Sequence, residues 1–472
     1  MTRAQRIPQR NSSDRAPQSC LWSALQGADS SRIWRIYMLS PEHKPLSSVS
    51  SEVAERATIA RRASISAAVG TAIEFYDFTI YAFLATIIAP LFFSKHDEVA
   101  GLLATLGVYA VGYVARPLGS IYFGRLGDRQ GRRRALLITI TVMGVATALT
   151  GLLPTYAAIG VAAPTLLTVL RIVQSLAAGG ELGGAAVLVA ESAPRKRRGF
   201  LGSSTAIGAA GGATLAAVVV GTVSVMPAHA MSSWGWRVPF LLAVPLLIVC
   251  LVYRLRVEES PVFQQMASET APPKAPVSDV VANHWKALLK VTLTSYALNT
   301  AAKLSSLYLV VQFHLLGYPV AQSVWFAAGF TFVSGTVMTY AGQLSDQFGR
   351  RRVMAVGFVG FIVLAIPCYM LMAASLLAAL FAGLILNVVD GLITGVVFTA
   401  FSEQFPKHVR YTGVSLGYNL GTAFGGGPAS LVAAALVSST GVLISPAFYI
   451  VIVSVIGLGT VAVFDDREQS DL

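Results

Sequence analysis

Charge is scarce in this chain. Asp, Glu, Lys and Arg together supply 12% of 472 residues, against about 25% in an ordinary soluble domain. Hydrophobic residues reach 54% and the mean hydropathy is +0.64. So apolar a chain cannot cover itself with polar surface in water, which disfavours a soluble enzyme and points to lipid as the solvent. Cysteine is equally scarce. Cys20, Cys250 and Cys368 are scattered, with no CxxC pair and no neighbouring histidine cluster, and they read as small buried hydrophobes rather than redox or metal centres. Missing too are a phosphate-cradling glycine loop, a Walker lysine, metal-ligand spacing and a nucleophile elbow. The sequence therefore offers no ATP-driven motor, no catalytic constellation and no expected cofactor. Residues 1–60 lack an apolar run of signal-peptide length and read as a polar, disordered cytoplasmic tail. Met38 within it is a second candidate start.

What the chain does have is apolar stretches. From Ile65 onward they alternate with short polar breaks, near 65–93, 99–124, 134–153, 163–191, 199–224, 237–256, 286–313, 321–342, 353–373, 375–402, 411–437 and 443–464. Each is long enough to cross about 30 Å of hydrocarbon as a helix. The even-numbered connections carry GRLGDRQGRRR, PRKRRG, RLRVEESP, QLSDQFGRRR and PKHVR, whereas the odd ones hold almost no Lys or Arg beyond Lys95 and Arg237. By the positive-inside rule both termini are cytoplasmic. The net charge of +12 is then largely topological, and no nucleic-acid partner is expected.

The longest internal break, 257–285, is rich in Pro, Ser and Glu and reads as a partly flexible cytoplasmic linker. A repeat flanks it. Gly124, Asp128, Gly131 and Arg132 recur as Gly342, Asp346, Gly349 and Arg350, offset by 218; Glu191 and Arg198 recur as Glu403 and Arg410, offset by 212. The predicted fold is thus an all-α membrane protein of about twelve transmembrane helices in two pseudo-symmetric six-helix halves, 61–256 and 286–464, with a short cytoplasmic tail at 465–472.

The paired G-x-L-x-D-x-x-G-R-R-R loops resemble the cytoplasmic signature of the major facilitator superfamily. More discriminating are IEFYDFTIYAFLA, RIVQSLAAGGELGGAAVLVAESAP, SWGWRVPFLL followed by RLRVEESPVF, and FPKHVRYTGVSLGYNLGTAFGGG. Together these resemble the metabolite:proton symporters, which carry dicarboxylates, citrate, shikimate and osmolytes such as proline and betaine. The resemblance spans roughly residues 60–465 and implies gating roles for the paired loops.

Ionisable residues at membrane depth are costly, so their default reading is functional. Glu74 and Asp77 share one helical face with Tyr81. Two adjacent carboxylates resist double ionisation, which suits a proton carrier; the bland alternative is a static ion pair with an arginine. Arg171, Gln174 and Glu181 lie on a broad face of the fourth span. Glu181 joins the proton-coupling candidates. Arg171 is expected either to clamp a substrate carboxylate or to pair with Glu74 or Asp77. Arg116, Gln174 and Tyr81 are further candidate substrate contacts, and Arg237 reads as a boundary anchor. In the second half, Lys303 shares a face with Asn299, and Asp390 with Asn387 and Thr394. Lys303 and Asp390 are expected to face one another or to hold a polar substrate jointly. The relatives tend to carry an acidic residue and a histidine there. Asp128, Arg132, Asp346 and Arg350 are expected to latch helices by taking hydrogen bonds from a helix amino end or by pairing, with Glu191–Arg198 and Glu403–Arg410 as counterparts. Small-residue stripes at Ser204, Gly208, Gly212 and Ala216 and at Gly413, Gly417, Gly421 and Gly425 read as close helix packing.

The functional expectation is a proton-coupled symporter in a bacterial inner membrane, powered by the proton gradient. It would import a small hydrophilic metabolite by alternating access and work as a monomer without an obligate protein partner. Arg116, Arg171 and Lys303 tilt the expected substrate toward an organic acid. An osmolyte zwitterion carrier and a proton-driven efflux antiporter are the alternatives within transport. A non-transporting sensor would need a folded cytoplasmic domain that neither tail suggests.

Overall fold

The computed structural model describes residues 46–93, 98–269 and 276–464. The chain divides into a unit spanning 1–58, whose described residues 46–58 are helical, and a unit spanning 59–472. Among the described residues every regular element is a helix. The first six spans are α1 (Leu46–Phe92), α2 (Glu98–Gln130), α3 (Arg132–Leu152), α4 (Ala162–Ser192), α5 (Arg198–Val223) and α6 (Ala228–Leu255). The second six are α7 (Trp285–Ser305 continued by Leu307–Leu315), α8 (Val320–Phe348), α9 (Arg350–Leu371), α10 (Leu376–Glu403), α11 (Arg410–Phe424 continued by Ala429–Thr440) and α12 (Ser445–Ala462). Among the described residues nine of these are long and apolar enough to be membrane spans by length and composition; α1, α2 and α7 complete the twelve. The halves meet where α2 packs on α11 and α5 packs on α8 and α10.

Burial is inverted relative to a soluble protein. Val114, Leu118 and Tyr122 on α2, and Val356, Val359 and Val363 on α9, are exposed at helical spacing, as lipid-facing stripes must be. Glu74, Asp77, Glu181 and Arg171, by contrast, are at most 2% exposed. The sharp α2–α3 and α8–α9 turns pass through Gly131 (φ 104°) and Gly349 (φ 94°). A side chain is disfavoured at such angles, which is why the repeat keeps glycine at both.

Three departures from the sequence expectation are local. Residues 46–60, read as tail, are helical and open α1; their Ala, Glu and Arg are strong helix formers. Residues 1–45, with Cys20 and Met38, and 465–472 lie outside the described residues. The linker holds two helices, Pro261–Glu269 and Pro276–Asn283, each opening on a proline suited to a first turn. Finally, α7 is interrupted at Ser306 (φ −126°, ψ −78°), where the expectation was continuous.

Candidate functional site

Three buried ion pairs organise the first half. Asp77 Oδ2 meets Arg171 Nη1 at 3.1 Å, while Asp77 Oδ1 accepts from Thr147 Oγ1 at 2.8 Å and Gln174 Nε2 at 3.1 Å. Arg171 also donates to Gln174 Oε1 at 2.9 Å and lies over the rings of Phe78 and Tyr81 at 4.6 and 4.3 Å. One turn earlier, Glu74 Oε1 lies 3.3 Å from Arg116 Nη2, yet neither Glu74 oxygen has a hydrogen bond. Arg116 rests 3.9 Å over Phe78. Glu181 pairs with Arg254 of α6 and accepts from Thr139 at 2.6 Å. Each guanidinium is thus neutralised, and those of Arg116 and Arg171 also lie over aromatic rings, the arrangement that lets a buried charge persist. Tyr81 donates to the Thr105 carbonyl at 3.2 Å.

Between the halves lies a cavity of about 190 Å³. Its charged lining residues are Lys303 and Asp390, joined by Asn299 and Asn387. Asp390 accepts from Thr394 at 3.2 Å and Ser334 at 3.4 Å. Lys303 makes no direct ion pair with it among the described residues, although the two act on each other electrostatically. Of the two placements expected from sequence, the structure lacks a direct pair and sets both side chains on one cavity. Phe75, Phe83, Phe398 and Tyr418 add aromatic faces. Asn387 is committed to structure: its amide donates to the Ser305 carbonyl at 2.6 Å and to Gly383 at 2.9 Å, satisfying the backbone where α7 breaks. Asn299 Oδ1 accepts from Tyr418 at 3.4 Å. Arg116, Arg171, Gln174 and Tyr81, expected as substrate contacts, are not among the residues lining this cavity.

The arginine-rich face is closed by two symmetry-related latches. Asp128 on α2 accepts from the backbone amides of Tyr411 and Thr412 at 3.2 and 2.9 Å, the free donors of the α11 amino end. Asp346 on α8 does the same for Gly199 and Phe200 at the start of α5, both at 2.8 Å. A carboxylate is well placed there, against orphan N–H groups and the positive end of the helix dipole. Arg132 and Arg350 brace their aspartates at 3.3 and 2.9 Å. The glutamates, however, do not pair as expected. Glu191 reaches Arg132 at 3.2 Å and, across the halves, Arg410 at 3.1 Å. Glu403 meets Arg350 at 3.5 Å and, across the halves, Arg198 at 3.8 Å. The Glu191–Arg198 and Glu403–Arg410 pairs read from sequence are thus exchanged between halves. The reason is geometric, because each glutamate ends a helix that faces the partner half's latch. Deeper in the same contact, Asn419 donates to Ser120 Oγ at 3.0 Å and to the Gly179 carbonyl at 2.9 Å.

Comparisons with known proteins agree with this architecture. A family model described as sugar (and other) transporter matches residues 63–283. The proline/betaine transporter of Salmonella typhimurium is 35% identical over 412 residues, covering 85% of this chain and 82% of that protein. The chain belongs to the major facilitator superfamily. The shikimate transporter of Escherichia coli is likewise 35% identical, over 80% of this chain and 88% of its own. A solved structure of a major facilitator proton:xylose symporter, XylE, superposes with a TM-score of 0.72 at 15% identity, over 86% of this chain and 95% of that one. Superfamily membership makes this chain a transporter and not an enzyme.

Seen as a major facilitator protein, the chain has partners that its motifs did not disclose. Arg254 was counted with the positive loop after α6, yet it is 2% exposed and neutralises Glu181. Glu259 and Ser260, at the start of the linker, belong to the latch: Glu259 accepts from the Arg132 amide at 2.9 Å, and Ser260 donates to Glu191 at 2.5 Å. Their signal was the RVEESP run directly following α6. Arg237 donates to the carbonyls of Ser233 and Leu153 at 2.6 and 3.2 Å, tying α6 to the end of α3.

Proposed function

We propose that this protein is a proton-coupled symporter importing a small zwitterionic osmolyte of the betaine or proline type. One observation carries the reading: the cavity between the halves presents one cationic and one anionic side chain, Lys303 and Asp390, set apart from each other. The organic-acid expectation rested on Arg116, Arg171 and Lys303; of these, Arg116 and Arg171 are paired with Glu74 and Asp77. What faces the solute is balanced. Lys303 would take the carboxylate, and Asp390 with the aromatic faces of Phe398 and Tyr418 would take a quaternary or secondary ammonium. The similarity to proline/betaine transporters supports the same class, whereas the similarity to a shikimate transporter favours the organic-acid alternative.

Glu74 is the proton site in this reading, with Asp77 as its coupled neighbour. Its oxygens accept no hydrogen bond, so a proton can bind without displacing a donor, and protonation frees Arg116 from its pair. Glu181, neutralised by Arg254, holds α4 to α6. The latches at Asp128 and Asp346, with Glu191, Arg410, Glu403 and Arg198, close the arginine-rich face, which the positive-inside rule makes cytoplasmic in a bacterial inner membrane. Alternating access then breaks the two latches together. The test is uptake into proteoliposomes of labelled glycine betaine, proline, shikimate and xylose, with and without an imposed proton gradient. Gradient-dependent accumulation of betaine and proline is expected. Accumulation of shikimate alone, or betaine uptake indifferent to the gradient, overturns the proposal.

A further inference from the structure

Away from the cavity, two neighbouring side chains of the linker region and one from a distant loop converge at the arginine-rich face. Asp279 lies on the linker helix Pro276–Asn283, His284 immediately precedes α7, and His408 sits in the loop between α10 and α11. Asp279 Oδ2 is 3.1 Å from His408 Nε2. The His284 and His408 rings lie 6.0 Å apart at 66°. One donor atom from each of the three falls within 4.8 Å of the others. Two of the chain's six histidines are therefore gathered around one carboxylate.

We propose that Asp279, His284 and His408 form a binding site for a zinc-like divalent transition metal. Two imidazoles and one carboxylate are a donor set for a borderline ion rather than for Mg²⁺ or Ca²⁺, which require mainly oxygen. Three protein ligands leave a fourth tetrahedral position for water. Zinc with bonds of about 2.1 Å places its donors about 3.4 Å apart, so a small inward turn of the His284 ring completes the site. Asn283 Nδ2 donates to Asp279 Oδ1 at 2.6 Å, which fixes the carboxylate with its other oxygen toward the histidines, as an outer-shell partner does. His408 and Asp279 side chains are 43% and 29% exposed, leaving a path for the ion.

The position gives such binding a consequence, and this part rests on the gating reading above. Lys407, adjacent to His408, offers its carbonyl to Arg132 at 2.9 Å, and Arg410 reaches Glu191 at 3.1 Å. An ion at His408 ties the linker to the same loop that makes the α10–α11 side of the latch. It holds the closed arrangement and slows turnover.

The experiment uses untagged full-length protein in micelles, titrated with Zn²⁺ against a chromophoric chelator. One equivalent is expected to bind saturably, unaffected by millimolar Mg²⁺, with affinity at least tenfold weaker in each of His408→Ala and His284→Gln; Asp279→Asn serves if either variant fails to fold. Absence of one-equivalent binding in the wild type, or equal affinity in the folded variants, overturns the site. In proteoliposomes carrying the labelled solute that the wild type transports, micromolar Zn²⁺ on both sides is expected to slow wild-type uptake but not that of His284→Gln. If zinc binds as expected yet leaves uptake unchanged, the site stands and its link to the latch is overturned.

Discussion

Replacing Asp77 with Asn tests whether the buried pairs carry the first half. Asp77 and Arg171 are 0% and 2% exposed and 3.1 Å apart, so deleting the carboxylate charge strands a guanidinium out of water. Removing one partner of such a pair costs about 3–5 kcal/mol. Here Arg171 keeps its hydrogen bond to Gln174 and its contacts with Phe78 and Tyr81. Cation–π contacts of this kind are worth about 1–2 kcal/mol, which places the expected loss near the lower end, about 3 kcal/mol. The double variant Asp77→Asn/Arg171→Gln replaces the ions with two neutral groups able to bond each other, Thr147 and Gln174. It should recover about 2 kcal/mol of that loss, a coupling well above the scatter for independent sites. The assay is reversible unfolding in mixed micelles by denaturant titration, read by tryptophan fluorescence over the four variants of the cycle. Strictly additive losses, or a single variant within about 0.5 kcal/mol of wild type, refute the reasoning. Gradient-driven uptake should stay impaired in the double variant, because Asp77 belongs to the proposed proton site as well as to the scaffold.

Two further outcomes follow from the packing and the latches. Asp128→Ala removes the acceptor for two amides at the α11 amino end; at about 2 kcal/mol this moves the closed-to-open ratio roughly 30-fold, seen as faster thiol labelling of a cysteine placed at Ser415, which is buried against α4, and an unchanged labelling rate contradicts it. Gly212→Ala sets a methyl against the Ala72 carbonyl of α1 and should cost about 1–3 kcal/mol, whereas its neighbour Gly211→Ala, which faces open space, should cost nothing; equal melting temperatures for the two remove the close-packing argument.

The span pattern, the duplicated loops and the buried charges were legible because each is written locally: apolar length, a fixed offset, an ionisable residue inside an apolar run. The sequence also offered Asp128 and Asp346 either a helix amino end or an arginine as partner, and the structure gives each of them both. Partner choice was not legible. Glu191 and Arg410 are 219 positions apart, and only the docking of the halves decides that each glutamate reaches across rather than to the nearer arginine of its own motif. Arg254 looked topological because it sits beside a charged loop; its burial depends on α6 packing along α3 so that the side chain reaches Glu181 of α4. The substrate was illegible by the same route, since sequence alone does not say whether Arg116 and Arg171 are paired or open to a solute. Pairing, not presence, decides what a solute meets. The break at Ser306 had no local marker, and its compensation by Asn387 comes from another helix.

The balanced cavity is tested most directly by equilibrium binding of three solutes of nearly one shape to the purified protein. These are glycine betaine with both charges, 3,3-dimethylbutyrate with only the anion, and choline with the cation but no carboxylate. If Lys303 and Asp390 each hold one end of a zwitterion, glycine betaine binds at least tenfold more tightly than either analogue, a difference of about 1.4 kcal/mol. Binding of 3,3-dimethylbutyrate as tight as that of glycine betaine contradicts the account and returns the protein to the organic anions.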